Sequence, residues 1–194
     1  MTRCTIALLC AVGIQTTLRS PAHAEPFVVE PVVETDPVES DGDAADDAAV
    51  WVHPTDPARS LIIATDNRQG LGVYSLDGAR LQVVADGRLN NVDLRCGFPM
   101  GDGEIDLIAA GDFAANTLNL YRIADDRRSI VAIAPPIPTG MQGVYGLCMH
   151  RSPDGEFFVF ITDLSGAVQQ RRITADASTG AIRADLVRTL HVGG

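Results

Sequence analysis

The sequence predicts an all-β fold, a β-propeller built from four-stranded antiparallel blades, and three observations lead to it. Short runs rich in β-branched and aromatic residues recur along the chain, each bounded by turn residues. The runs fall into groups of four, and three such groups follow one another in register. No segment carries a long apolar repeat of 3.6 residues, so helices are expected to be few.

The first group reads Ala49-Val50-Trp51-Val52-His53, Leu61-Ile62-Ile63-Ala64-Thr65-Asp66, Leu71-Gly72-Val73-Tyr74 and Leu81-Gln82-Val83-Val84. The second reads Asn91-Val92-Asp93-Leu94-Arg95, Asp106-Leu107-Ile108-Ala109-Ala110, Leu118-Asn119-Leu120-Tyr121 and Ser129-Ile130-Val131-Ala132-Ile133. The third reads Val144-Tyr145-Gly146-Leu147-Cys148, Phe157-Phe158-Val159-Phe160-Ile161-Thr162-Asp163, Val168-Gln169-Gln170-Arg171 and Leu186-Val187-Arg188-Thr189-Leu190. The second run of each group is almost wholly apolar, as in a strand buried on both faces. Pro54-Thr55-Asp56-Pro57, Asp77-Gly78 and Ser152-Pro153-Asp154-Gly155 supply the clearest turns.

Asp66, Asp112 and Asp163 mark the same place in each group and lie 46 and 51 residues apart. Four strands per unit at about 40–50 residues is the period of a propeller blade, and a β-sandwich does not predict that unit three times over. Three blades do not close a ring, which takes about 4–8. The chain therefore reads as a partial propeller over residues 43–194, with Val192-Gly193-Gly194 falling where the earlier groups join the next blade. An open third blade is expected to leave apolar side chains facing water.

The segments before the repeat read differently. Residues 1–24 have the form of a signal peptide: Arg3, an apolar stretch over residues 5–14 too short to span a bilayer, and an Ala22-His23-Ala24 cleavage site. A secreted or periplasmic product is expected. Residues 25–42 are rich in Pro, Val and acids; Phe27-Val28-Val29 and Val32-Val33 suggest a strand that the prolines confine to an edge. Beyond the leader only Cys96 and Cys148 remain; export would permit a disulfide, but two small buried hydrophobes are the favoured reading.

The chain has 194 residues, 15 basic and 25 acidic, for a net charge of −10, and every basic residue other than His is arginine. This balance argues against nucleic acid or an anionic membrane as partner and suits a holder of divalent cations. Mean hydropathy is +0.11, enough apolar character to bury a core. The densest acidic cluster is Asp41-Gly42-Asp43-Ala44-Ala45-Asp46-Asp47, just before the first inner strand. Carboxylates there suit Ca²⁺, a hard cation taking 6–8 oxygens, or simply form a solvated loop. In the second group Asn90-Asn91-Val92-Asp93-Leu94-Arg95 holds the same place; Arg95 either grips a phosphate or pairs with Asp93.

Asp43-Ala44-Ala45-Asp46-Asp47-Ala48-Ala49-Val50-Trp51-Val52-His53-Pro54 resembles the opening motif of the β-propeller phytases. Gly87-Arg88-Leu89-Asn90-Asn91-Val92-Asp93-Leu94-Arg95 resembles their second motif, and Val144-Tyr145-Gly146-Leu147 a third. The resemblance implies about three blades of a six-bladed, calcium-dependent phosphomonoesterase acting on phytate. In that family Ca²⁺ ions at the channel mouth hold the substrate phosphates and activate the attacking water. By motif match Asp46, Asp47, Ala48, Asn90 and Val92 are the expected calcium ligands, with Asp46 the residue best placed to support catalysis, and Arg68 and Tyr145 the expected phosphate contacts. Arg68 replaces a family lysine, which keeps the charge and changes the geometry.

Two further basic positions of the family have no match. The loop Ala110-Gly111-Asp112-Phe113-Ala114-Ala115-Asn116 has no basic residue, and Leu164-Ser165 follows Asp163 where the family has a lysine. Besides a purely structural propeller segment, which the Asp46-Asp47 and Asn90 to Arg95 motifs disfavour, two functions are compatible with the sequence. One is a phytase or part of one; the other is a non-catalytic propeller module that binds calcium or phytate and assists a complete phytase domain.

Overall fold

The computed structural model describes residues 28–192. The expected signal peptide lies outside the described residues. Those described form three antiparallel sheets joined in sequence. Blade one orders β1 (Ala45–Trp51), β2 (Leu61–Asp66), β3 (Gly70–Ser75) and β4 (Arg80–Ala85). Blade two orders β5 (Leu89–Met100), β6 (Gly103–Asp112), β7 (Thr117–Ile123) and β8 (Ile130–Ala132), with β9 (Ile137–Pro138) also on β7. Blade three orders β10 (Val144–Arg151), β11 (Phe157–Asp163), β12 (Ala167–Ala175) and β13 (Ile182–His191). Helical structure among the described residues is one 3₁₀ turn at Pro57–Arg59, and none of their helices is long and apolar enough to cross a membrane.

Strand alternation explains how the blades stack. On β6, Ile108 and Ala110 join one core cluster with Trp51, Ile63 and Val73 of blade one. Leu107 and Ala109, pointing the other way, join a second cluster with Phe157, Val159 and Ile161 of blade three. The apolar second run thus covers two interfaces at once in the middle blade. In blade three only one face of β11 reaches that core, and Arg172 lies over the Phe158 ring on the other at 5.8 Å. Its outer strand leaves Leu186, Val187 and Leu190 about half exposed, as the sequence anticipates.

The landmark aspartates turn out to be turn caps. Asp66 Oδ1 accepts from the Arg68 amide at 3.0 Å. Asp112 Oδ1 accepts from the Ala114 and Ala115 amides at 2.7 and 2.8 Å. Asp163 Oδ1 accepts from the Ser165 amide and hydroxyl and the Ala167 amide. The Ser165 hydroxyl, foremost, holds the Asp163 carboxyl below the usual carboxylate range. Each caps the hairpin between second and third strand, which is why the residue recurs with the blade period.

A second repeat fixes the inner strands. β1, β5 and β10 each carry a bulge at the same point, between Ala45 and Ala48, Leu89 and Val92, and Val144 and Leu147. In blades one and three a threonine pins it. Thr65 Oγ1 accepts from the Asp47 amide at 2.8 Å, and Thr162 Oγ1 from the Gly146 amide at 2.9 Å. Blade two has Gly111 there, where a Cβ would lie 2.9 Å from Val144 Cγ1.

One expected strand needs correction. Residues 28–31, and separately residues 32–38, take no strand; Val28, Val29, Val32 and Val33 are exposed, and Pro31 and Pro37 lack the amides that a ladder needs. The fourth run of blade two forms β8 at Ile130–Ala132 as expected, and beyond Pro135-Pro136 the chain returns to β7 as β9.

Replacing Asp112 by alanine frees two loop amides beside a buried strand end. Asp112→Ala is expected to lower the unfolding free energy by about 1–3 kcal/mol, read from the urea midpoint at unchanged slope.

Candidate functional site

The inner strands β1, β5 and β10 run side by side, and a groove of about 320 Å³ opens between them, lined by Asp47, Ala48, Val92, Asp93, Arg95 and Leu147 among others. Three of the five expected calcium ligands, Asp47, Ala48 and Val92, meet here. Asp46 is exposed on the β1 bulge. Asn90 is buried beside them, and its carbonyl accepts from the Thr65 hydroxyl at 3.1 Å.

Asp47 is the most connected of the set. Its Oδ1 accepts from the Ala48 amide at 2.8 Å. Its Oδ2 accepts from Asn91 Nδ2 and the Val92 amide, both at 3.1 Å, so the carboxylate ties blade one to blade two. Asp93 repeats the tie one blade on: its Oδ2 accepts from the Met149 amide of β10 at 2.8 Å. Its Oδ1 accepts from Arg95 Nη1 at 2.6 Å, so Arg95 takes the ion-pair role of its two sequence readings. Cys148 and Cys96 are unpaired, and they are exposed rather than the small buried hydrophobes that the sequence favoured. Partial desolvation of the sulfur, with Asp93 adding, pushes the Cys148 thiol up, and partial desolvation pushes Cys96 up to about 11.

The donor chemistry is right for calcium, since Asp46 and Asp47 present hard carboxylate oxygens. The number is not. Among the described residues no three His, Cys, Asp or Glu side chains come together in a way that could hold a metal. Both oxygens of Asp47 are already hydrogen-bonded.

Arg68 and Tyr145 do not line the groove; Arg68 is on a turn and Tyr145 is on the β10 bulge, at the same end of the strands. Arg68 sits in the β2–β3 turn, with Nη2 3.5 Å from the point a Cβ on Gly42 would occupy. Tyr145 is 52% exposed and meets Phe113 edge-on, with ring centroids 6.5 Å apart. Phe113 belongs to the loop that lacks the family's arginine. Arg88 lies over its ring, the guanidinium carbon 5.4 Å from the centroid. Arg88 stood in the second motif without an assigned role; only contacts across blades single it out.

Residues 2–193 match the phytase family. The chain belongs to that family. It is 39% identical over 168 residues to the 3-phytase of Bacillus subtilis (strain 168), an alignment covering 84% of this chain and 44% of the relative. The chain thus spans less than half the length of that relative phytase. With membership shown, the three sheets are blades of the phytase propeller, about three of the family's six.

The two adjacent aspartates of the phytase motif have different surroundings, and substitution separates them. Asp47→Ala is expected to cost about 1–3 kcal/mol of stability because it strands the Val92 amide. Asp46→Ala, at an exposed position, is expected to stay within about 0.5 kcal/mol of the unchanged chain in the same urea titration.

Proposed function

We propose that this chain is part of a calcium-dependent phosphomonoesterase that removes phosphate from phytate, acting outside the cytoplasm. The observation that carries the reading is the convergence of two phytase motifs. Asp46-Asp47 and Asn90-Asn91-Val92-Asp93-Leu94-Arg95 meet on neighbouring inner strands, hydrogen-bonded through Asp47 and Val92. The Bacillus subtilis relative, named a 3-phytase, supports the same substrate.

In this reading Asp46, Asp47, Ala48, Asn90 and Val92 form one side of a calcium cluster whose other ligands come from further blades. Bound calcium would neutralise substrate charge and make a water nucleophilic. The chain's own part is positional. The Asp47 and Asp93 ties fix the spacing of three inner strands, and Arg68 and Tyr145 offer a cation and a phenol to phosphate oxygens at the rim. Phytate carries many negative charges and this chain is itself acidic, so local cations and metal must offset a repulsive background.

The shortage of carboxylates favours a second reading, a module that binds calcium or phytate and assists a complete phytase domain. Phosphate release from phytate by the purified chain, with and without Ca²⁺, separates the two. Turnover that stops on chelation supports the enzyme. Calcium-dependent phytate binding without turnover supports the module, and the absence of both overturns the phytate reading. Asp46→Ala is expected to weaken calcium-dependent binding about tenfold, the loss of one charged ligand.

A further inference from the structure

The rim above the groove holds a continuous row of contacts across the three blades. Arg88, in the link from β4 to β5, donates from Nε to the Asn67 carbonyl at 3.3 Å, which sets its guanidinium against the peptide that precedes Arg68. Its own carbonyl accepts from the Phe113 amide at 2.9 Å. Its guanidinium lies over the Phe113 ring, and Phe113 in turn meets Tyr145. Arg88 is thus held at backbone, Nε and ring face, while remaining exposed.

These restraints leave Nη1 and Nη2 free: among the described residues neither has a hydrogen-bond partner, and no carboxylate lies within ion-pair distance of Arg88. A stacked guanidinium with its outer N–H edge open is preorganised for bidentate contact with a phosphate. In a chain of net charge −10, Arg88 is an exposed guanidinium with no ion-pair partner among the described residues. The Phe113 loop, which carries no cation of its own, supplies instead the ring that positions one from the neighbouring link.

We infer that Arg88, stacked on Phe113 between Arg68 and Tyr145, is a phosphate-binding residue that stands in for the cation missing from the Phe113 loop. The inference rests on the phytate reading and assigns a further specificity residue to the same rim. It gives Phe113 a positioning role: the ring holds the guanidinium and touches no phosphate.

Calorimetric titration of the full chain with phytate at low and high salt, with calcium present, tests it. Arg88→Gln is expected to weaken binding about tenfold, the loss of one charged hydrogen-bonding partner, and to flatten the dependence of affinity on salt. Arg88→Lys is expected to restore the salt dependence and only part of the affinity. Phe113→Leu should give an intermediate loss. Arg128→Gln, at the opposite end of the strands, is the control and should match the unchanged chain. Urea midpoints confirm that each variant is folded, and Arg88→Lys against Arg128→Gln carries the test should Arg88→Gln not fold. If the unchanged chain binds and Arg88→Gln binds equally well, the inference is overturned and the phytate reading stands. Loss of affinity with unchanged salt dependence in both Arg88 variants assigns Arg88 a structural role and also overturns it. No saturable binding by the unchanged chain overturns the phytate reading and this inference with it.

Discussion

The carboxylate-to-amide tie between neighbouring inner strands is the interaction on which the candidate site depends. Blades of a propeller pack by apolar faces, and such contacts fix distance without fixing register along the strand. Asp47 on the Val92 amide and Asp93 on the Met149 amide supply that register. The two ties obey one rule: each links a residue to the position one further along the next blade's inner strand, the second pair two residues further in. A slip of a single residue would turn each acceptor away from its donor. Groove width and the position of the Asp46-Asp47 pair follow from these ties.

At the far end of the strands another polar contact completes the clamp. Trp51 Nε1 donates to Asp106 Oδ2 at 2.6 Å, so β1 is held to blade two at both of its ends. Third strands add a fastening of their own. Asn119 and Tyr121 donate to Asp86, in the link from blade one, and Gln169 and Arg171 reach the Thr139 carbonyl, in the link from blade two. Their positions are equivalent though their chemistry differs, an amide with a phenol and an amide with a guanidinium. The apolar stack is therefore keyed by polar contacts at its inner edge, its far end and its links.

Most of the fold was legible because its signals are local and periodic. The almost wholly apolar runs of β2, β6 and β11 and the aspartate that caps each following hairpin repeat at blade spacing, and each can be read within a few residues. The errors arose where a local pattern lacked its neighbour. The valines of residues 28–33 have the composition of a strand but no ladder partner among the described residues. In the candidate site, motif matching found Asp46, Asp47 and Asn90 but not the dual use of Asp47, whose partner lies 45 positions away. Arg88 was invisible for the same reason. Its significance lies in Asn67 and Phe113, on loops of two different blades.

The proline break also governs how blade two meets its surroundings. An outer strand exposes a row of amides and carbonyls that can template pairing with another chain. Splitting that strand into β8 and β9 leaves pieces of 3 and 2 residues, too short for an added strand to zip along. β13 is ten residues long, broken only by a bulge at Val187, and it carries Arg183, Asp185 and Arg188. Charges that must lose water before pairing oppose edge-to-edge association. Resistance to aggregation at the perimeter is thus achieved by backbone chemistry in one blade and by electrostatics in the next.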